Sequence, residues 1–385
     1  MKLGKLCILF TDGDWIESKD QSDSGIRLIQ TGNIGNGEFL YKNDKAKYIS
    51  VDTFKRLNCK EVFPNDILVS RLPEPVGRGC IIPDIGEKMI TAVDCTICRI
   101  NENLVDRKYF CYFLESNAYK TQLEQHVTGT TRKRISRKNL SSVEIDIPEQ
   151  AKQKEVVYKL DRLKKIIQNY NRELDLLDEL VRARFVEMFG DVQDAKKHRS
   201  IQLKDICNTV TGGTPSTKHV EYYNGTIPWI STVSLGPNYI DGTTAKAFIT
   251  QEAVDNSSTK IIPSGSILFG TRVGVGKSSI NQVEMCTNQD IVAIIDLDES
   301  KYNKLYIKYV LDTYQSYFDS IKKGATILGI SSDDLKNIYV PDASLYEQDR
   351  FEKFVKQIDK SRSRIQKSLE ASQELFDSLM QEYFG

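Results

Sequence analysis

The sequence has no hydrophobic run long enough to span a bilayer. Its start offers only Leu6 to Phe10, broken at once by Thr11-Asp12-Gly13. That stretch is also too short for a secretory leader. Histidine is scarce, with only His126, His198 and His219, which disfavours a zinc site or a histidine-centred triad. No Pro-Pro pair occurs, so the Asn/Asp-Pro-Pro-aromatic tetrapeptide of an amino-group methyltransferase is missing. Charge of one sign is not in excess either, because 53 Lys and Arg balance 53 Asp and Glu. A protein that coats nucleic acid without regard to sequence is usually basic overall, whereas a sequence reader can be neutral if its cations sit where phosphates lie. Eight cysteines at uneven spacing fit reduced thiols in a cytosol better than a disulfide framework.

The remaining chemical motifs are weak. Gly270 to Ser279 invites a phosphate-loop reading, but the first glycine of that pattern falls on Thr271, and strand-like segments flank the run. Pro83-Asp84 with Asp106-Arg107-Lys108 imitates a nuclease pattern loosely and has no counterpart later in the chain. Cys95 and Cys98 have metal-like spacing, yet on an alternating strand they face opposite sides, and no second pair exists. No catalytic or metal-ligating residue is assigned.

What the sequence does contain is a repeat. Phe189-Gly190 recurs as Phe384-Gly385, an offset of 195, and the same offset takes Gly129, Ile135, Ser136 and Leu140 to Gly324, Ile330, Ser331 and Leu335. Towards the start the offset drifts to 200. Ile67-Leu68 matches Ile267-Leu268, and Leu3, Cys7, Thr11 and Gly13 match Leu203, Cys207, Thr211 and Gly213. Each half opens with short β-branched runs and turn signals, with strands at Ile67 to Ser70, Ala92 to Ile100, Ser266 to Phe269 and Ile291 to Ile295. One amphipathic helix follows in each, near Tyr109 to Leu123 and Tyr306 to Ile321, and then a long charged helix.

The long helices carry a heptad seam. Val156, Leu160, Leu163, Ile167, Tyr170, Leu174, Leu177, Val181, Arg184 and Met188 alternate steps of four and three. The offset of 195 turns them into Phe351, Val355, Ile358, Arg362, Ile365, Leu369, Ser372, Phe376, Leu379 and Tyr383. A seam this narrow is satisfied by a partner helix, so the two pack on each other. Arg184, Arg362 and Ser372 are irregular seam positions that mark register, a fraying end or contact with another subunit, or else the arginines are long side chains near an exposed seam edge. About 35 helical residues extend roughly 50 Å, a ruler between two modules. The expected divisions are 1–148 and 201–342 for the modules, 149–190 and 343–385 for the helices, and 191–200 for a linker.

Two related modules at a fixed distance suit duplex DNA, whose half-sites repeat with the helical turn. The strongest electrostatic signal is Thr131 to Lys138, where Arg132, Lys133, Arg134, Arg137 and Lys138 occur without an acid, ahead of an expected strand. Its counterpart holds Lys322 and Lys323. Arg71 and Arg78 in one glycine- and proline-rich hairpin match Arg272 and Lys277 in the other. Such cations position phosphates, and arginine also grips guanine edges. Against this stands the possibility that the cations are solvated faces and the chain a coiled-coil structural adaptor without DNA specificity.

Gly-Thr-Thr-Arg-Lys-Arg-Ile-Ser (129–136), Gly-Ala-Thr-Ile-Leu-Gly-Ile-Ser (324–331) and the module–helix–module–helix order resemble the specificity subunits of type I restriction–modification systems. So do the helix openings Ile147-Pro148-Glu149-Gln150 and Val340-Pro341 leading to Glu347-Gln348, the second stretched by a few residues. The resemblance covers essentially the whole chain. It implies an α+β fold of two pseudo-repeated mixed α/β target-recognition domains joined by two long antiparallel coiled-coil helices. It also implies a cytoplasmic, non-catalytic subunit that reads a split asymmetric duplex target and docks two copies of a methyltransferase subunit and a restriction/translocase subunit. S-adenosylmethionine and ATP with magnesium would then belong to those partners, and this chain would hold no cofactor or metal.

Overall fold

The computed structural model describes residues 1–190, 200–324 and 327–385, so the expected linker at 191–200 lies, save for Ser200, outside the described residues. The fold is mixed α+β. It divides into two units, Met1–Arg172 with Gln366–Gly385, and Glu173–Ile365.

In the first unit Cys7–Asp12, Cys95–Ile100, Ile67–Ser70 and Gly79–Ile81 form an antiparallel sheet in that order. A second sheet runs Gln21–Ser22, Tyr48–Ile49, Ile26–Ile29, Met89–Thr91 and Glu61–Val62, with one parallel pairing, Ile26–Ile29 on Met89–Thr91. Strand alternation explains how both faces of the first sheet are covered. Ile67, Val69 and Cys98 face a core shared with the helices, while Leu68, Cys95 and Ile97 face a core shared with the second sheet. Cys95 and Cys98 therefore sit in two different cores. Burial pushes the Cys95 thiol up to about 12 and the Cys98 thiol well above its ordinary range, so both stay protonated at neutral pH.

The second unit repeats the plan. Asn208–Thr211, Ile291–Ile295, Ile267–Gly270, Ser278–Asn281 and Tyr239–Ile240 form one sheet, and Ala247–Ile249, Ile227–Ile230, Met285–Thr287 and Ile261–Ile262 the other. Ile267 and Phe269 face the helical core, and Leu268 faces the opposite one. Main-chain bonds sharpen the repeat. Gly13 donates to Cys95 and Gly212 donates to Ile291, so the partner of Gly13 is Gly212 rather than Gly213. At both sites a Cβ would stand within 2.5 Å of a carbonyl oxygen, which only glycine avoids.

Where one helix was expected in each half, two are found. Arg107–Glu115 and Asn117–Glu124 meet at Ser116, whose side chain caps the second by accepting from Tyr119 N–H. Lys304–Thr313 and Gln315–Ile321 meet at Tyr314 without such a cap. The amphipathic stripe continues through both breaks, so periodicity alone did not reveal them. Asp106 and Asp84, the carboxylates of the nuclease-like pattern, cap a helix and a turn respectively.

The long helices are Gln150–Phe189 and Leu345–Phe384, 40 residues each and offset by 195 at both ends. In the first unit Val156 and Leu160 share a core with Met380 and Phe376, and Lys159 Nζ reaches the Tyr383 hydroxyl at 3.3 Å. In the second unit Phe351 packs on Phe185 and Phe189, with centroids 5.2 and 5.7 Å apart. In each unit the start of one helix meets the end of the other, which is antiparallel pairing. All the seam positions are buried or half-buried. The irregular ones have local explanations: Arg362 pairs with Asp178 on the facing helix, Arg184 pairs with Glu187, and Ser372 donates to the Ser368 carbonyl.

The helix starts share a device that the sequence reading missed. Gln153 is buried, accepts from Asp106 N–H at 2.7 Å and donates to Leu104 and Pro148 carbonyls. Gln348, at the offset of 195, accepts from Asn303 N–H at 2.8 Å and donates to Lys301 and Ala343 carbonyls. The glutamine equivalent to Gln348 is thus Gln153, not Gln150, and the second opening is in register rather than stretched. Each amide satisfies loop groups that burial would otherwise leave unpaired.

Candidate nucleic-acid interface

The basic segment of the first module is a small closed loop. Thr128 and Arg134 exchange both main-chain hydrogen bonds at 2.9 Å, and Gly129 takes φ +95° inside the turn. A Cβ at Gly129 would lie 2.4 Å from the Arg132 carbonyl oxygen, so the turn requires glycine. Ile135, fully buried, anchors the loop base, and its N–H donates to the Arg71 carbonyl. A helix, Arg137–Ser142, follows in place of the expected strand, capped by Ser136.

The cations of this site are not equivalent. Arg71 is largely covered: its Nη2 donates to Val93 O at 2.6 Å and its Nη1 to Ile135 O at 3.2 Å. Its Nε lies 3.2 Å from Asp12 without hydrogen-bond alignment. Arg137 also approaches Asp12, at 3.8 Å, and Lys133 pairs with Glu74 at 2.8 Å. Arg78 is half-buried and donates to the Thr31 carbonyl at 3.4 Å. Arg132, Arg134 and Lys138 are exposed, and their side chains have no partner among the described residues. Arg71 therefore ties the loop to the sheet edge, while Arg132, Arg134 and Lys138 remain available to an anion.

The second module builds the same frame from different side chains. Lys323 and Gly329 exchange main-chain bonds at 2.8 and 2.9 Å, and Gly324 takes φ +144°. Ile330 N–H donates to the Thr271 carbonyl, as Ile135 does to Arg71. Thr271 N–H bonds the Asp290 carbonyl, as Arg71 N–H bonds Asp94. The Arg71–Asp12 ion pair has become Thr271 and Thr211, both uncharged. Thr271 Oγ1 instead donates to the Asp290 carbonyl. Arg272 is exposed and lies 3.5 Å from Asp290, and Lys322 pairs with Asp319. Lys277 and Lys323 are exposed and form no salt bridge among the described residues, Lys323 acting only at longer range on Asp334. Of Lys322 to Thr326, Ala325 and Thr326 lie outside the described residues. Arg78 and Lys277 occupy matching hairpin positions, since their carbonyls accept from Ser70 and Gly270 N–H.

The structure brings Arg71 and Arg137 together at Asp12 in the first module and sets Arg272 against Gly329 of the loop in the second. It offers no group of three His, Cys, Asp or Glu placed to hold a metal among the described residues, and no helix long and apolar enough to cross a membrane.

Comparison with known proteins agrees with this arrangement. The sequence profile of the type I restriction modification DNA specificity domain matches residues 1–178 and again 196–373. The chain is 34% identical over 150 residues to the Type I restriction enzyme MjaIX specificity subunit of Methanocaldococcus jannaschii, covering 39% of this chain and 35% of that protein. It is 28% identical over 306 residues to the EcoR124I/EcoR124II specificity subunit of Escherichia coli, covering 75% and 70%. Among solved structures, a chain from a study of complex assembly and conformational transition of the type I R-M system is similar with TM-score 0.61 at 15% identity, covering 100% of this chain and 96% of that one. The type I S subunit from M. genitalium gives TM-score 0.54 at 14% identity, covering 100% and 95%. The duplicated match extends over nearly the whole chain, and the chain belongs to the family of type I restriction–modification DNA specificity subunits, the recognition and not the catalytic part of those systems.

Proposed function

We propose that this chain reads a split, asymmetric duplex DNA target, one half-site per module, with the two long helices setting the gap between half-sites. The observation that carries the reading is the paired loop-and-hairpin frame: the same main-chain bonds recur in both modules while the exposed side chains differ. A common frame suits a common ligand, the duplex, and different side chains suit different base sequences. Arg132, Arg134, Lys138, Arg272, Lys277 and Lys323 act on DNA directly in this reading. Arg71 positions the first loop through Asp12, and Arg78, Lys133, Arg137 and Lys322 contribute once their internal partners are exchanged for phosphate. The reading includes 1–148 and 201–342 as recognition modules and 149–190 and 343–385 as spacer helices.

The helices also dock two methyltransferase subunits, and a restriction/translocase subunit joins that assembly in the cytoplasm. Exposed Leu180 and Leu375 stand at equivalent positions of the two helices, as two copies of one partner require. S-adenosylmethionine and ATP with magnesium are held by those partners.

The test is single-molecule sequencing of adenine methylation in DNA exposed to the neighbouring methyltransferase, with and without this chain. The expected result is a two-part asymmetric motif that appears only when the chain is present. Methylation that is absent or unchanged overturns the reading in favour of a coiled-coil adaptor.

A further inference from the structure

The loop tip of the second module is apolar where that of the first is cationic. Lys323 and Gly329 pair as Thr128 and Arg134 do, so Ile327 and Leu328 stand where Arg132 and Lys133 stand. Ile327 is 55% exposed, Leu328 57%, and Val273 on the adjoining hairpin 50%. Loop and hairpin touch: Ile330 N–H bonds Thr271, and a Cβ on Gly329 would lie 2.9 Å from Arg272 Cγ. Three aliphatic side chains therefore project into solvent from adjacent loops, forgoing the stabilisation that burial gives.

The same two loops carry Arg272, Lys277 and Lys323, all exposed, the last two in no salt bridge among the described residues. An aliphatic patch flanked by exposed cations matches the major groove of DNA. Phosphates line its rim, and the thymine C5-methyl is the one apolar feature on its base edges. A protein surface would meet the aliphatic part but would leave these cations needing acids.

We infer that Ile327 and Leu328, with Val273, are specificity-determining residues of the second module and read thymine methyl groups in its half-site. This rests on the chain being a duplex reader. The first module, with Arg132 and Lys133 at the same positions, reads its half-site without this apolar contact.

The experiment uses the complete methyltransferase complex containing this chain and the target found by methylation sequencing. Thymine is replaced by uracil, which lacks only the methyl, in one half-site at a time, and binding is followed by fluorescence anisotropy. Losing one buried methyl weakens binding about fourfold. The expected result is that loss in one half-site only, with the difference between thymine and uracil abolished when the chain carries Ile327→Ala and Leu328→Ala. Both side chains are exposed, so the variant keeps its fold. Equal binding of thymine and uracil duplexes by the unaltered complex overturns the inference. So does a uracil effect that persists in the variant, a second half-site made only of G·C pairs, or a variant that binds DNA normally but fails to assemble with the methyltransferase. If no two-part motif exists at all, it is the proposed function that fails.

Discussion

The two loops close with the same main-chain hydrogen bonds around opposite chemistry. In the first module the frame closes over an Arg71–Asp12 ion pair and presents Arg132 and Lys133. In the second, Thr271 replaces the arginine, Thr211 stands opposite, and the tip presents Ile327 and Leu328. The frame survives because main-chain hydrogen bonds hold it: Thr128 with Arg134 and Lys323 with Gly329, then Ile135 to Arg71 and Ile330 to Thr271. Those bonds need no particular side chain apart from the glycine at each turn. A scaffold held that way lets the exposed residues change independently, as the proposed reading of two different half-sites requires.

Four sets of substitutions probe how far the equivalence of the halves extends. Phe351→Ala should have the largest effect, destabilising the second unit by about 4 kcal/mol, since Phe351 is fully buried among Phe185, Phe189 and Tyr309. Its register counterpart Val156→Ala should cost the first unit only about 2 kcal/mol. Hydrogen exchange resolved by peptide distinguishes the units, and equal losses would show that the seam is not asymmetric.

Next in size, alanine at Arg132, Arg134 and Arg137 together should cost the assembled complex on the order of 3 kcal/mol of DNA affinity. The slope of log affinity against log salt should fall by about 2.7, against about 1.8 for alanine at Lys322 and Lys323. Titrations over a range of salt concentrations measure both, and undiminished affinity would remove the first loop from the interface.

Gln153→Ala and Gln348→Ala should each cost about 2 kcal/mol, because each leaves buried loop groups without a partner. Here the halves should respond alike. A large effect at one position alone would break the equivalence of the helix openings.

The smallest effect concerns the helix after each loop. Asp334 completes a capping box with Ser331, whose hydroxyl and N–H hold its carboxyl below the usual aspartate range. The first-module counterpart is the neutral Asn139. A depressed carboxylate contributes stability that is fully present above its unfolded pKa, near 3.9, and is lost as pH falls through the folded value. Asp334→Asn should therefore remove at most about 1 kcal/mol at neutral pH, and the difference from the unaltered chain should vanish in acid. Thermal melts at several pH values would show this.

Repetition was legible in the sequence because it leaves identities at fixed offsets, and the seam because a 3.5-residue period survives substitution. The strands Ile67–Ser70 and Ile291–Ile295 were equally plain, being short β-branched runs between turns. The break at Ser116 was hidden by an amphipathic stripe that continues through it. The role of Gln153 was hidden because two of its three partners lie 47 and 49 residues earlier, at Asp106 and Leu104.

The sequence by itself determined that the chain is a duplicated pair of β-rich modules with two equal heptad helices, since periodicity and offset are properties of order along the chain. Only the tertiary structure decided which cations are spent inside the fold and which are free. Arg71 and Arg132 are alike as letters, but Asp12, Val93 and Ile135 converge on one and on the other none of the described residues does. Whether a charge is already satisfied depends on what folding brings to it.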